Sequence, residues 1–326
     1  MSKRRTFIAE PTLSSVFQSE VDDSFEECVE GFVRSLIANR RSSHTVDYYR
    51  KCLKVLAQVL REQNYPTRLR RLTEAKLIDG YINYSTEVKG LRETSIKTNL
   101  RAFRAFFNWA AKNGIIEESP MKNIQIGQAK SPAVETFTSE QIIELLAQPN
   151  LETFVGLRDY TILVTLLETG IRLRELVDIE IGDVRFNDSQ ILVHGKNGHD
   201  RLVPFQSRMA KVLRKYVSIR GKSESDALFI THDDGKMSRK AVQDRIAKYG
   251  RMANITNVRC SPHTFRHTFA KMSIRNGADV FALQKILGHQ TLDMVRTYVN
   301  LFSTEVAEAH RKFSPMENLY RRNSVR

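Results

Sequence analysis

The 326-residue chain has few cysteines, and they are spread out: Cys28, Cys52 and Cys260. Their odd number and wide spacing exclude a disulfide framework and match no metal-ligand pattern, which fits a reducing cytosol. No apolar run approaches the ~18 residues that a membrane span needs. The opening stretch, MSKRRTFIAEPTLSSVF, has basic residues but no apolar signal-peptide core. Internal repeats and low-complexity tracts are also missing. A membrane or secreted protein is thereby set aside and a cytoplasmic one is expected. Acidic residues run short, with 37 Asp and Glu against 51 Lys and Arg, a formal charge of +14. The isoelectric point near 9.7 follows. A surface this basic favours a polyanion, and nucleic acid is the leading partner class.

What is present is ordinary globular material. The chain is 41% hydrophobic and 27% charged, and long enough for two domains with cores of their own. Residues 1–23 read as a flexible leader. Four helical patterns fill residues 24–118, starting at Ser24. In the second, Val46, Tyr49, Leu53, Leu56 and Leu60 form one stripe. In the fourth, Ile96, Leu100, Phe103, Phe107 and Ala110 do, with Gly114 placed to end it. This all-α domain holds much of the excess charge: residues 40–112 carry 16 Lys and Arg against 6 Asp and Glu. Residues 119–137, with two prolines, a glycine and no helical period, read as a linker.

The second domain, 138–302, starts at a capping box, Thr138 to Gln141. A nearly all-apolar helix ends at Gly170. VRF, QILVHG and RLVPF are short β-prone runs, the last two joined through Asn197-Gly198, a hairpin turn signal. ALFIT, 227–231, is expected to be a further strand. The fold class is therefore mainly α with a small antiparallel sheet. Residues 303–326 are expected to form a tail helix opened by Ser303, with Val306, Ala309, His310 and Phe313 on one side.

Within this domain SPHTFRHTFA, 261–270, places two histidines and an arginine in five positions. Ser261 is a good N-cap and Pro262 suits the first helical position. His263, Arg266 and His267 then share one face, with Phe265, Phe269 and Met272 grouped opposite. The His263–His267 spacing suggests a zinc helix, but Thr264 stands where a metalloprotease needs Glu. Three other stretches join it. ETGIRLREL puts Arg172 just after a glycine, VHGKNGHDRLVP puts Lys196 at the hairpin tip, and LGHQTLDMVRTYVN carries His289 and Tyr298. Taken singly, Tyr298 is one of ten tyrosines, and Lys196 is a common kind of exposed turn residue. Arg174 reads as solvated, and His267 as a packed or hydrogen-bonding residue.

Taken together, these stretches resemble the tyrosine recombinases, the phage-integrase and Xer-type site-specific recombinases. The match is in order and spacing: 24 residues from Arg172 to Lys196, 23 from Arg266 to His289, and 9 from His289 to Tyr298. It covers about 138–310 by motif, and reaches 24–115 only through the family's helical core-binding domain. The resemblance implies a catalytic set of Arg172, Lys196, His263, Arg266, His289 and Tyr298. Tyr298 would attack a scissile phosphate, leaving a 3′-phosphotyrosyl bond and a free 5′ hydroxyl, and Lys196 would protonate the departing oxygen. Forked, always-charged arginines suit the phosphate oxygens. Phosphotyrosine keeps the bond energy, so no ATP is implied, and cationic side chains take a metal's place in stabilising the charge, so no cofactor is implied either.

The implied partner is double-stranded DNA with inverted-repeat core sites, held in a clamp between the two domains. A homotetramer would act on two such sites through a Holliday junction, with DNA-bending accessory proteins as possible helpers, and the tail helix would dock on a neighbouring protomer. The basic helices RKCLKVL and RETSIKTNLRAFR offer Arg50, Lys51, Lys54, Lys97, Arg101 and Arg104 for DNA contact. The short stretch before Ser24 leaves no room for an extra arm-binding module, which points to an Xer or transposon-integrase type. Two alternatives stay open: a DNA-binding protein that does not cleave, and a type IB-like topoisomerase.

Overall fold

The computed structural model describes residues 23–127, 135–195 and 198–288. Lys196, His289, Tyr298 and the expected tail helix lie outside them. The chain divides into two compact units, 1–131 and 132–326. Among the described residues, no helix is long and apolar enough to cross a membrane.

The first unit is all-helical. Helix α1, Phe25–Ala38, starts with Glu26 and Glu27 in its first turn, where the helix dipole favours acids. Helix α2, Ser43–Glu62, is capped by Ser42, whose hydroxyl accepts the Thr45 amide. Val46, Leu53, Leu56 and Leu60 of its apolar stripe are buried, and Tyr49 is partly so. Helix α5, Glu93–Lys112, buries all five positions read from its period. Phe25, Phe32, Phe103, Phe106 and Phe107 meet in the core, with Phe32 and Phe106 edge to face at 5.6 Å. Each such ring contributes about 2–3 kcal/mol through burial.

Two features differ from the sequence pattern. A short 3-10 turn, Leu69–Arg71, precedes the third helix. That helix is also irregular: α3, Glu74–Leu77, passes through a π turn, Ile78–Asn83, into α4, Tyr84–Glu87. Gln63 Nε2 donates to the Gly80 carbonyl inside the π turn, an outside donor inserted where the ladder widens.

Residues 119–137, expected as a linker, are anchored at both described ends. Met121 and Ile124 are buried in the first unit's core, and Phe137 in the second's.

In the second unit, Thr138 and Gln141 form the expected reciprocal cap of α6, Ser139–Ala147. Helix α7, Phe154–Thr169, is buried on most sides. Its Thr161, Thr165 and Thr169 satisfy their hydroxyls on the carbonyl four residues back, which lets polar side chains sit in a core. Helix α8, Leu173–Asp178, follows, then a 3-10 turn, Ile181–Asp183. Strands β1 (Val184–Arg185), β2 (Gln190–Val193) and β3 (Arg201–Pro204) form an antiparallel meander, with Ile191 opposite Val203 and Val193 opposite Arg201. Helices α9 (Ser207–Arg220), α10 (Arg239–Met252), α11 (Pro262–Arg275) and α12 (Val280–Leu287) complete the unit.

The run 227–231 is not the expected strand. Only single bridges form there, Ala227 to Glu180 and Ile230 to Lys236. Its polar groups go to scattered partners: Leu228 N–H to Ile179, Tyr216 hydroxyl to the Leu228 carbonyl, and Arg158 to the Ile230 carbonyl. The apolar face of α11 is also shared between two clusters. Phe265 and Met272 pack in the main core, while Phe269 joins Leu283 and Leu287 of α12.

Candidate active site

The site grows from two helix ends. Helix α7 stops at Gly170, with φ of +59°, and α12 stops at Gly288, with φ of +64°. Both positions favour glycine for their backbone, and both also need its missing side chain. A Cβ on Gly170 would lie 2.3 Å from Phe269, and one on Gly288 would lie 3.0 Å from the Arg201 guanidinium.

Just beyond Gly170, Arg172 caps α8. Its amide donates to Glu175 Oε2 at 2.8 Å, and its Nη1 to Oε1 at 2.9 Å. Arg201, the first residue of β3, grips the same carboxylate with Nη1 at 3.1 Å and Nη2 at 2.8 Å. Glu175 is only 6% exposed. Burial alone would push its carboxyl up. The Arg201 hydrogen bond, the Arg172 amide and the Arg201 charge outweigh that and hold it below the usual range.

The three last carbonyls around the end of α12 each accept from a different arginine. Arg201 Nε donates to Ile286 at 2.7 Å, Arg266 Nη2 to Leu287 at 2.8 Å, and Arg172 Nη2 to Gly288 at 3.1 Å. Helix C-terminal carbonyls lack intrahelical donors and carry partial negative charge, so guanidinium groups suit them. Arg266 also donates through Nη1 to Gly170 at 2.7 Å, which ties the two helix ends together. Two guanidinium groups thus hold one carboxylate, a third holds the neighbouring carbonyls, and the cluster keeps a positive excess. Arg172 presents 41% of its side chain to solvent, whereas Arg266 is buried. Such a cluster, with one partly exposed guanidinium group, has the charge and the donors that could receive an anion.

Helix α11 positions the rest of the described set. Ser261 caps it through the Thr264 amide, with Pro262 at the first position, as the sequence pattern requires. His263, in that first turn, is exposed, and His267, one turn further, is half-buried. Burial, then the neighbouring His263 and the Arg266 charge, lower the pKa of His267 and favour its neutral ring. Arg172, Arg266 and the residue before His289 are therefore brought together. His289 itself, Lys196 and Tyr298 fall outside the described residues.

Glu175 and Arg201 join this cluster although neither stands among the residues expected to form the site. The three-residue step from Arg172 to Glu175 at a helix start was a legible sign of a cap. The reach of Arg201 across from β3 had no local signal.

In the first unit, the expected DNA-contact cations differ in their surroundings. Lys51, Lys54 and Arg101 are exposed. Arg50 is paired with Glu30 at 3.0 Å. Lys97 is mostly buried and paired with Glu93, and Arg104 donates to the Ile124 carbonyl.

An arginine cluster at two helix ends, in a two-unit, mainly helical fold with a small antiparallel sheet, fits the tyrosine recombinase class. Residues 135–305 match the phage integrase family, residues 29–114 match the phage integrase N-terminal SAM-like domain, and the chain belongs to that family. It is 28% identical over 298 residues to the tyrosine recombinase XerD of Staphylococcus haemolyticus, covering 89% of this chain and 99% of that one. It is 28% identical over 305 residues to the tyrosine recombinase XerC of Oceanobacillus iheyensis, covering 91% and 98%. Among solved structures, the Tn1549 transposon integrase in complex with circular intermediate DNA has a TM-score of 0.73 at 18% identity, covering 91% and 99%. The XerH recombinase bound to its palindromic difH substrate has a TM-score of 0.71 at 18% identity, covering 88% and 84%.

Proposed function

We propose that the chain is a site-specific DNA recombinase that cuts and rejoins strands through a 3′-phosphotyrosyl intermediate and a Holliday junction. One observation carries the reading: Arg172 and Arg266, 94 residues apart, hydrogen-bond the consecutive carbonyls of Gly288 and Leu287, directly before His289. A scissile phosphate held there meets fixed cations where negative charge grows during attack.

In this reading the Tyr298 oxygen bonds to phosphorus as the bond from phosphorus to the 5′ oxygen breaks. The phenol, near pKa ~10 when free, gives its proton to an acceptor, a role that suits His263, exposed in the first turn of α11. Lys196 gives its proton to the leaving 5′ oxygen. His289 donates a hydrogen bond to the phosphate. The substrate is double-stranded DNA with inverted-repeat core sites, and four copies act on two sites, with the 303–326 tail docking on a neighbour. The match of nearly the whole chain to XerC and XerD supports this assignment, and the likeness to a transposon integrase favours mobile-element DNA as a substrate beside dimer resolution.

A nicked suicide duplex built on the site footprinted next to the gene tests it. Wild type should accumulate a covalent protein–DNA adduct that Tyr298→Phe abolishes. Binding without any adduct would leave a non-cleaving DNA-binding protein, and relaxation of supercoils without strand exchange would leave a topoisomerase.

A further inference from the structure

The second unit carries a basic face that the reaction described above does not use. Helix α9 has five cations and no acid in its 14 residues. Met209, Leu213 and Tyr216 bury one side of it. At 100° per residue, Arg208, Lys211 and Lys215 fall within an arc of about 60° on the far side. All three are exposed. Among the described residues, no side-chain hydrogen bond or ion pair holds any of them. Arg214 flanks the stripe, with its guanidinium 4.8 Å from the centre of the Phe186 ring.

Such a face is unfavourable by itself. Like charges at i, i+3 and i, i+4 repel, and a solvated helix face ordinarily mixes the two signs. Arg208 also stands in the first turn, where the helix dipole favours acids, and that turn has none. Other basic side chains of this unit are taken up inside the fold: Arg158 and Arg245 by Asp159, and Arg201 by Glu175. The three on α9 are not, so a polyanion displaces no partner to reach them. From Arg208 to Lys215 the stripe is about 10 Å long, a length over which duplex DNA presents roughly six phosphate charges.

The stripe is distinct from the arginine cluster, because α9 runs antiparallel to α7. Near the end of α7 the Gln206 amide donates to Glu168 Oε1 at 3.0 Å, and at its start the Phe154 ring lies 6.1 Å from Tyr216. The stripe therefore begins beside the end of α7 that leads to Gly170 and runs away from it, on the side of α9 turned from the core. A helix with its side chains is about 10 Å across. The phosphates that reach Lys211 and Lys215 are thus not the one that Arg172 would hold. We propose that the outer face of α9 is a second DNA-contact surface, on which Arg208, Lys211 and Lys215 meet phosphates of the duplex flanking the core site. This rests on the reading of the chain as a recombinase of duplex DNA. A bound core site brings its own flanks to the protein at high local concentration, which makes flanking duplex the occupant.

The test measures binding over a salt series on two duplexes that share the footprinted core site. One ends at the footprint, and the other extends well beyond it on both sides. In wild type the slope of log affinity against log salt should be steeper on the extended duplex by about 0.9 per phosphate met, up to about three for the three cations. The triple change Arg208→Gln, Lys211→Gln and Lys215→Gln should return the extended duplex to the slope of the short one. It should leave the short-duplex slope unchanged, and with it the rate of covalent adduct formation on a nicked short duplex. Equal slopes on the two duplexes in wild type would overturn the proposal, as would a length effect that survives the triple change. Equal flattening on both duplexes would put the core site itself on α9 and overturn the flanking assignment. If wild type forms no adduct on the nicked short duplex, the recombinase reading fails, and the slopes still decide whether α9 meets DNA. Should the triple variant melt below wild type, the three single changes decide, each expected to flatten the extended-duplex slope by about one.

Discussion

Glu175 holds two guanidinium groups with one buried carboxylate, so its removal leaves both without their counter-charge. Glu175→Ala should destabilise the protein by about 3 kcal/mol, the usual result of breaking a buried pair on one side. Glu175→Gln keeps the shape and one acceptor and should lose less. Urea denaturation midpoints check both. The pH dependence has a definite sign. The folded carboxyl is held below its unfolded value, so the stabilisation is complete above the ordinary carboxylate range and fades as pH falls through the folded value. The acid limb of the wild-type stability curve should flatten in Glu175→Gln. At this scale Arg172 and Arg266 were legible because glycine, capping and histidine signals surround them. The carbonyls they hold were not, because residues 172 and 288 meet only after α7, α8 and α12 have packed.

The ends of α7 and α12 do more for the site than their lengths do. Gly170 has a left-handed backbone, and its carbonyl holds Arg266. Gly170→Ala combines the left-handed penalty with overlap against Phe269, together about 3 kcal/mol. Gly114 has a φ of +69°, but a Cβ added there would meet nothing within 4 Å, so Gly114→Ala should cost only about 1 kcal/mol. Thermal melts should separate the two, and only the first change should also slow adduct formation. Elements with chemical punctuation were readable: the Thr138 capping box, the Ser261-Pro262 start, and the three short β runs. Residues 227–231 misled because an apolar run without period does not say where its backbone groups will bond. Here several of them bond to side chains of α7 and α9, which leaves single bridges in place of a ladder.

Across the whole molecule, the net charge of +14 favours DNA, but the number of cations that meet phosphates decides how salt acts. The excess in residues 40–112 could be counted in the sequence. Which of those cations remain available could not, because internal partners appear only in the fold. Arg104 is spent on the Ile124 carbonyl and Lys97 on Glu93, while Lys51, Lys54 and Arg101 stay exposed. Each released counterion adds about 0.9 to the magnitude of the slope of log affinity against log salt. Replacing Lys51, Lys54 or Arg101 by Ala should therefore flatten that slope by about one per residue that meets a phosphate, with no loss of fold stability. Arg104→Ala should do the reverse, lowering the unfolding midpoint and leaving the slope nearly unchanged. Arg50 stands between, because its guanidinium must leave Glu30 before it can meet a phosphate. Binding isotherms on a core-site duplex over a salt series, paired with melts of the same variants, read both quantities. A slope that Arg104→Ala flattens and Arg101→Ala does not would put the DNA on the face of α5 that holds Ile124.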